Sequence, residues 1–323
     1  MNGAFSREQI HEMASRWMAR PPEAGALRVV TDTSDFFRLE TGDVLLLGGS
    51  PYLMRSSVRE ARFGLDDEVK HWVKRAIDLV TGQTKIVKLV FYEQFTATIG
   101  GIVFECFRSP RKEARILGLV NDHPSFMHGL TVPDDRGNLV RVLDYIYGDS
   151  LAGRVAGIDQ DHEAYLFETL PGILANYLHC VEAVRFLHEH GEKHGDIRRD
   201  HILIDADSGH YRWIDFDYNY RHRENIYGYD LFGLGNVLIY VVGKGDVLLA
   251  DLRRRDPDVL SRLVDEDLNI VFHNRVANLK KVFPHIPDSL NRVLLHFSRG
   301  ANWFYEHTTQ LIQDLQQAMA EIR

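Results

Sequence analysis

The sequence HGDIRRDHILI at residues 194–204, followed by WIDFD at residues 213–217, decides the fold of this chain. Each segment places an aspartate, Asp196 or Asp215, beside short β-like runs. A turn signal at residues 207–209 lies between those runs, which predicts a hairpin that returns the chain towards its start. The pattern therefore predicts that the two carboxylates lie close together.

Two earlier segments complete this pattern, TGQTKIVK at residues 81–88 and EARILGLVNDHP at residues 113–124. The first is typical of a hairpin that ends in a strand, and the second of a helix that ends before a turn. Together the four segments resemble the protein-kinase-like superfamily. The resemblance implies an α+β, two-lobed protein-kinase-like fold with a β-rich N-lobe and a mainly helical C-lobe.

The resemblance also implies roles for five charged residues. Lys88 is expected to bind the phosphates of ATP, and Glu113 to pair with it and hold the ammonium group in place. Asp196 is expected to orient the acceptor hydroxyl and to accept its proton, with Arg198 as a further catalytic residue of the same loop. Asp215 is expected to bind the metal ion that bridges the phosphates.

The segment RVLDYIYGDSL at residues 141–151 is similar to the hinge that holds adenine in protein kinases. The similarity implies that Leu143 is the gatekeeper. It also implies that the backbone groups of Asp144 and Ile146 contact the adenine ring. The predicted cofactors are therefore ATP with Mg²⁺ or Mn²⁺.

His201 departs from the family pattern, because it stands where protein kinases have a metal-binding asparagine. Imidazole is a softer ligand than Mg²⁺ prefers, which favours Mn²⁺ if His201 binds the metal. Alternatively, His201 could contact phosphate as a hydrogen-bond donor.

Two further segments depart from the pattern. FGLDDEV at residues 63–69 has one glycine and three acidic residues where a glycine-rich loop is expected, and these acids should repel a triphosphate unless they face away. Asp230 lies only 15 positions after Asp215, which is too short a separation for a full activation segment. Gly195 also replaces the arginine that contacts the phosphorylated activation segment in protein kinases. We therefore expect that phosphorylation of this segment does not switch activity on or off.

We divide the chain into an N-terminal extension (1–50), formed by a helix and strands, a kinase-like N-lobe (51–146) and a helical C-lobe (147–323). The capping-box pair Ser6 and Gln9 predicts that the first helix begins there and runs to about Arg20. Residues 28–91 are β-like, residues 111–120 are helical, and the pattern after Gly148 is mainly helical.

Composition limits the remaining function classes. A formal charge of −8 disfavours nucleic-acid binding through bulk charge. Two cysteines, Cys106 and Cys180, are too few for a disulfide framework or a CxxC metal site. The sequence shows neither an apolar secretion signal nor a stretch long enough to span a membrane, which favours a cytoplasmic protein.

These patterns predict an ATP-dependent kinase that transfers the γ-phosphate of ATP to an alcohol acceptor, either a protein Ser/Thr or a small hydroxylated molecule. The alternative is a nucleotide-binding or non-binding pseudokinase that acts as a regulatory scaffold. The intact set Lys88, Glu113, Asp196 and Asp215 favours the enzyme, whereas His201 and the acids at residues 66–68 favour the pseudokinase.

Overall fold

The computed structural model describes residues 5–60, 68–223 and 225–322. Of the acid-rich segment at residues 63–69, which stands where a glycine-rich loop is expected, residues 63–67 lie outside the described residues. Contacts group the described chain into two units. The first contains the described residues up to Tyr92, with Pro110–Asp122 and Met127–Tyr145, and the second contains Glu93–Ser109, His123–Phe126 and the described residues from Ile146 onwards.

The strands of the described residues are numbered along the chain. They are β1 (Val29–Val30), β2 (Val44–Leu47), β3 (Ser50–Glu60), β4 (Glu68–Asp78), β5 (Thr84–Lys88), β6 (Gln94–Ile99), β7 (Ile102–Arg108), β8 (Gly129–Pro133), β9 (Leu139–Asp144), β10 (Gly148–Ser150), β11 (Ile202–Asp205), β12 (Tyr211–Trp213) and β13 (Tyr218–Arg221).

The helices are numbered in the same way. They are α1 (Arg7–Ser15), α2 (Pro110–Leu119), α3 (Leu151–Ala156), α4 (His162–Ala164), α5 (Leu170–Glu189), α6 (Gly228–Val242), α7 (Leu249–Arg255), α8 (Pro257–Arg262), α9 (Asp288–Leu295) and α10 (Thr308–Met319). A π-helical turn at Tyr165–Thr169 joins α4 to α5.

The first unit is built on a seven-stranded sheet of order β1-β2-β3-β4-β5-β9-β8. Side chains alternate between the two faces of the sheet: Val44 and Leu53 pack with α1 in one core, and Leu45 and Tyr52 pack in the core on the other face. The N-terminal extension thus contributes both a covering helix and two strands to the same sheet.

Helix α1 begins as the sequence predicts, because the Ser6 side chain accepts from the Gln9 N–H and the Gln9 side chain accepts from the Ser6 N–H. The helix ends earlier than expected, at Ser15 rather than near Arg20. Ile10 and Ala14 are its buried positions, one turn apart, and they attach the helix to the sheet.

The second unit contains two three-stranded sheets, β10-β11-β12 and β13-β7-β6, and the helices from α3 onwards. Segment 93–109 belongs to this unit by its contacts, and its strand β7 pairs antiparallel with β13. The division of the chain at residues 50 and 146 remains a prediction. The predicted α+β class is confirmed, since a sheet with one helix between its strands in the chain is followed by a mainly helical region. Among the described helices, none is both long and apolar enough to cross a bilayer.

Candidate active site

Lys88 and Glu113 form the predicted ion pair inside the first unit. Lys88 ends strand β5 and Glu113 lies in the first turn of α2, and the Lys88 Nζ to Glu113 Oε1 distance is 2.9 Å. Neither residue is more than 1% exposed. Because a buried ammonium group needs a nearby negative charge, this pair keeps Lys88 charged and in a defined position.

Arg141 is a third member of this cluster, which the sequence analysis did not assign. It lies directly opposite Lys88 in the register of β5 and β9, so both side chains leave the sheet on the same face. Its Nε donates to Glu113 Oε2 at 2.9 Å, and its other nitrogens donate to the carbonyl groups of Leu139 and Leu89 at 2.6 and 3.1 Å. The lysine cluster, Lys88, Glu113 and Arg141, therefore contains two cations around one carboxylate.

The residues of the predicted hinge lie at the end of β9 and just after it. Leu143 is buried, which suits a gatekeeper position. The Asp144 N–H donates to the His128 carbonyl at 2.9 Å, and its side chain binds Lys85 Nζ at 2.7 Å. Any contact from Asp144 to a purine would therefore use another backbone atom. Ile146 is partly exposed, and the adenine roles of all three residues remain predictions.

In the second unit, Asp230 at the start of α6 anchors the predicted catalytic loop. Its carboxylate accepts from the backbone N–H groups of His194 and Gly195 at 2.8 Å each, and from His188 Nε2 at 3.0 Å. Burial alone would raise the pKa of Asp230, but the hydrogen bond and charge of His188, with the other donors, lower it below its usual value. The loop amides are thus fixed by a buried, charged carboxylate.

Gly195 has a structural reason to replace the arginine of the family pattern. Its φ of +87° is in the region that favours glycine, and a Cβ there would lie 1.9 Å from the Tyr218 carbonyl oxygen. Any larger residue would therefore displace the backbone that follows the predicted metal loop.

The loop brings together the three residues we call the aspartate cluster, Asp196, His201 and Asp215. The distance from His201 Nδ1 to Asp196 Oδ2 is 3.5 Å, and from His201 Nε2 to Asp215 Oδ2 it is 3.8 Å. The carboxylates of both aspartates thus lie near the same imidazole ring, that of His201. Burial raises the pKa of Asp196, the charges of Asp215 and Asp217 add to this, and His201 and Arg198 oppose it.

The tautomer of His201 follows from its backbone contact. His201 Nδ1 lies 2.9 Å from the Asp196 carbonyl oxygen, which can only accept, so Nδ1 carries a hydrogen. In the neutral ring the lone pair is therefore on Nε2, the nitrogen nearer Asp215. A histidine that binds a metal typically donates its other N–H to such a carbonyl.

The donor chemistry of His201 and Asp215 fits a divalent ion, with one nitrogen and one carboxylate. No group of three or more His, Cys, Asp or Glu side chains in the described part of the chain is arranged to hold a metal. Magnesium in kinase sites is commonly held by one or two protein ligands together with phosphates and water. The metal assignment of both residues remains a prediction.

Arg198, predicted to be catalytic, binds a neighbour in its own loop. Its Nε donates to Asp200 Oδ1 at 3.1 Å and its Nη2 to Asp200 Oδ2 at 2.5 Å. A phosphate would have to compete with this two-point ion pair, so the structure gives Arg198 a loop-fixing contact and leaves its catalytic role as a prediction.

No protein-family model matches the chain. Its sequence is 28% identical to the mouse (Mus musculus) 2-5A-dependent ribonuclease over 174 residues, which is 51% of this chain and 23% of that protein. It is 25% identical to the serine/threonine-protein kinase SSK22 of Saccharomyces cerevisiae over 67% of this chain and 15% of that protein. It is 29% identical to the CBL-interacting protein kinase 20 of Oryza sativa subsp. japonica over 42% of this chain and 27% of that protein.

These matches span about a quarter or less of the length of the curated relatives. Among solved structures, the kinase domain of PknI from Mycobacterium tuberculosis aligns with 87% of this chain and 99% of its own length. Its TM-score is 0.48 at 13% identity. The chain is thus distantly similar in sequence to protein kinases.

Proposed function

We propose that this protein is an ATP-dependent kinase that transfers the γ-phosphate of ATP to an alcohol group. The observation that carries the proposal is the aspartate cluster, in which His201 lies 3.5 Å from the carboxylate of Asp196 and 3.8 Å from that of Asp215. Phosphoryl transfer requires a group that orients the attacking hydroxyl next to a metal-binding carboxylate. The buried Lys88–Glu113 pair and the distant similarity to protein kinases support the same function.

Each residue has a separate task in this reaction. Asp196 accepts the proton of the acceptor hydroxyl as the acceptor oxygen bonds to the γ-phosphorus. The bond from that phosphorus to the bridging oxygen breaks and ADP leaves. Lys88 binds the phosphates, with Glu113 holding its ammonium group. Mg²⁺ or Mn²⁺, held by Asp215 and His201, supplies positive charge to the phosphates when it is bound.

The acceptor is a protein Ser/Thr or a small hydroxylated molecule. The names of the yeast and rice relatives favour a protein acceptor. Asp230 lies only 15 positions after Asp215, which leaves little chain for a peptide platform and favours a small acceptor. Turnover of ATP with peptide and small-alcohol mixtures, followed by identification of the phosphorylated product, distinguishes the two classes.

Metal-dependent ATP binding tests the proposal. We expect ATP to raise the unfolding temperature more with Mg²⁺ or Mn²⁺ than without metal. Asp215→Asn should abolish this metal-dependent part, and His201→Asn should keep or raise Mg²⁺-dependent turnover because it restores an oxygen ligand. Asp207→Asn, in the exposed turn between β11 and β12, is the matched control and should change neither.

A pseudokinase scaffold is the second candidate. It is favoured by His201 in place of an asparagine and by the lack of a third protein ligand among the residues that the structure describes. It predicts that ATP stabilises the protein equally with and without metal, or not at all. It also predicts that none of the three substitutions changes this and that no acceptor mixture is phosphorylated.

A further inference from the structure

The chain that follows the metal loop is a strand of a small sheet. Residues Tyr218–Arg221 form β13, which pairs antiparallel with β7 from Tyr218 opposite Arg108 to Arg221 opposite Glu105. Strand β7 is itself the second strand of the β6–β7 hairpin. The segment that would carry a phosphorylation switch in a protein kinase is therefore tied by main-chain pairing to a hairpin that precedes α2.

Arg108 is the side chain that joins this hairpin to the metal loop. It is 5% exposed, and its Nη1 donates to Asp217 Oδ2 at 2.7 Å. Its Nε donates to Glu93 Oε2 at 3.0 Å, and its guanidinium carbon lies 4.0 Å from the ring centroid of Tyr218. The Tyr218 hydroxyl also donates to the same Glu93 carboxylate. Arg108 is thus held by two carboxylates and one aromatic ring.

The main chain reinforces this contact. The Ser109 N–H donates to the Asp217 carbonyl at 2.8 Å, so both the side chain and the backbone of Asp217 are bound from the end of β7. Burial alone would lower the pKa of Arg108, but the charge of Asp217 and its neighbours raises it well above the usual range. The guanidinium group is therefore charged at every physiological pH.

Asp217 lies two residues after Asp215, whose backbone has a φ of +63°. A residue other than glycine pays about 1–2 kcal/mol for this left-handed conformation. Such a conformation persists only where the surroundings determine it. The contacts of Arg108 and Ser109 with Asp217 fix the chain immediately after the strained residue.

We propose that Arg108 is a positioning residue for the metal loop: through Asp217 it holds the Asp215 carboxylate in its metal-binding position without any phosphorylation. This proposal rests on the proposed function and explains how its metal site is kept in the active arrangement without phosphorylation. Gly195 stands where protein kinases have the arginine that contacts a phosphorylated segment. Arg108 instead contacts the loop from the β6–β7 hairpin, which precedes the loop in the chain.

Charge and positioning predict opposite effects when Arg108 is replaced by a neutral residue. Arg108 is a positive charge close to Asp215 and Asp217. If it acted only through this charge, its loss would strengthen cation binding to those carboxylates. If it positions the loop, its loss should weaken metal binding, because partners behind a metal ligand typically contribute about 10–100-fold to metal affinity.

The experiment compares Arg108→Gln and Arg108→Lys with the wild type, and uses Arg221→Gln as the matched control. Arg221 lies on the same sheet but is exposed, with its guanidinium group 5.0 Å from the Phe107 ring centroid. The readouts are the Mg²⁺ and Mn²⁺ concentrations needed for half of the ATP-dependent thermal stabilisation, kcat against KM for ATP, and amide hydrogen exchange over residues 213–221.

We expect Arg108→Gln to raise the required metal concentration by about 10-fold or more, to lower kcat more than it raises KM, and to speed exchange over residues 213–221. Arg108→Lys should recover part of the loss, since one ammonium group can keep one of the two ion pairs. Arg221→Gln should match the wild type. If Arg108→Gln proves too unstable to study, Asp217→Asn removes the same ion pair and should give the same three changes.

An unchanged or lower metal requirement in Arg108→Gln would overturn the proposal, whatever happens to the unfolding temperature. If the wild type itself shows no metal-dependent ATP binding, the proposed function fails. The amide hydrogen exchange result alone then tests whether Arg108 positions the loop. Faster exchange confined to residues 213–221 then supports the positioning role, and unchanged exchange overturns it.

Discussion

The lysine cluster of the first unit and the aspartate cluster of the second are built in different ways. Lys88, Glu113 and Arg141 are each at most 1% exposed. The side chains of Asp196 and Asp215 are 20% and 19% exposed. The first cluster consists of side-chain ion pairs on neighbouring strands and a helix, whereas the second lies on a loop that is held through its backbone.

This difference predicts which property is lost when a residue of each cluster is replaced. In the lysine cluster the charges stabilise one another, so removal of one charge leaves another buried without compensation. In the aspartate cluster the backbone is fixed by Asp230 and by the close approach at Gly195, so the carboxylates can be changed without loss of the loop. We therefore expect the first cluster to respond in stability and the second in activity.

The largest effect is expected for Asp196→Asn. Loss of the proton acceptor should lower kcat by about 10²–10⁴-fold, while the free energy of unfolding stays unchanged or rises because a carboxylate with a raised pKa is removed. Single-turnover assays and urea unfolding measure the two quantities, with Asp207→Asn as the control. A kcat within a few-fold of the wild type would remove Asp196 from the reaction.

Glu113→Gln should instead reduce stability. An amide cannot balance both Lys88 and Arg141, so the free energy of unfolding should fall by about 3–5 kcal/mol. Urea unfolding measures the change. Glu105→Gln is the control, since Glu105 is an exposed glutamate of β7. An equal fall in the free energy of unfolding in both variants would show that the buried ion pairs of the lysine cluster contribute no more to stability than the exposed Glu105.

Gly195→Ala tests whether the backbone holds the aspartate cluster. Gly191→Ala is the control, because Gly191 also has a positive φ of +71° but has nothing within 4 Å of a Cβ. Both variants should lose about 1 kcal/mol from the left-handed conformation. Gly195→Ala should lose a further ~2 kcal/mol or more, because its Cβ meets the Tyr218 carbonyl. Equal unfolding free energies of the two variants would mean that the loop can shift and avoid the contact between the added Cβ and the Tyr218 carbonyl.

The smallest effect is a pH dependence in the second unit, away from both clusters. Burial, opposed by the bond to the Val242 carbonyl, lowers the pKa of His162 to about 4 from 6.5. The unfolded chain therefore binds the proton first, so stability is full above pH 6.5 and is lost progressively as the pH falls towards 4.

Unfolding free energies measured between pH 7.5 and 5 test this expectation, with His162→Phe as the comparison. The ring of His162 stacks on Phe283 at a centroid distance of 3.5 Å, so phenylalanine can keep that contact. The variant should show a shallower fall in stability with decreasing pH. The same slope in both proteins would assign the pH dependence to other groups.

Local sequence patterns predicted much of the fold. Runs of β-branched and aromatic residues predicted strands at β4 and β5, and the helical period predicted α2. The expected ion pair between Lys88 and Glu113 is present. The β6–β7 hairpin was missed, although its signal is local: two alternating runs flank Gly100 and Gly101.

The sequence by itself determined which residues carry charge at the loops and where many of the strands and helices lie, because those properties depend on neighbours within a few residues. Only the tertiary structure decided the partners of Arg141 and Arg108. Arg141 binds a glutamate 28 residues away and Arg108 an aspartate 109 residues away. Such pairs depend on which strands lie side by side and in which register, and that choice is made by the packing of the whole sheet and not by any one segment.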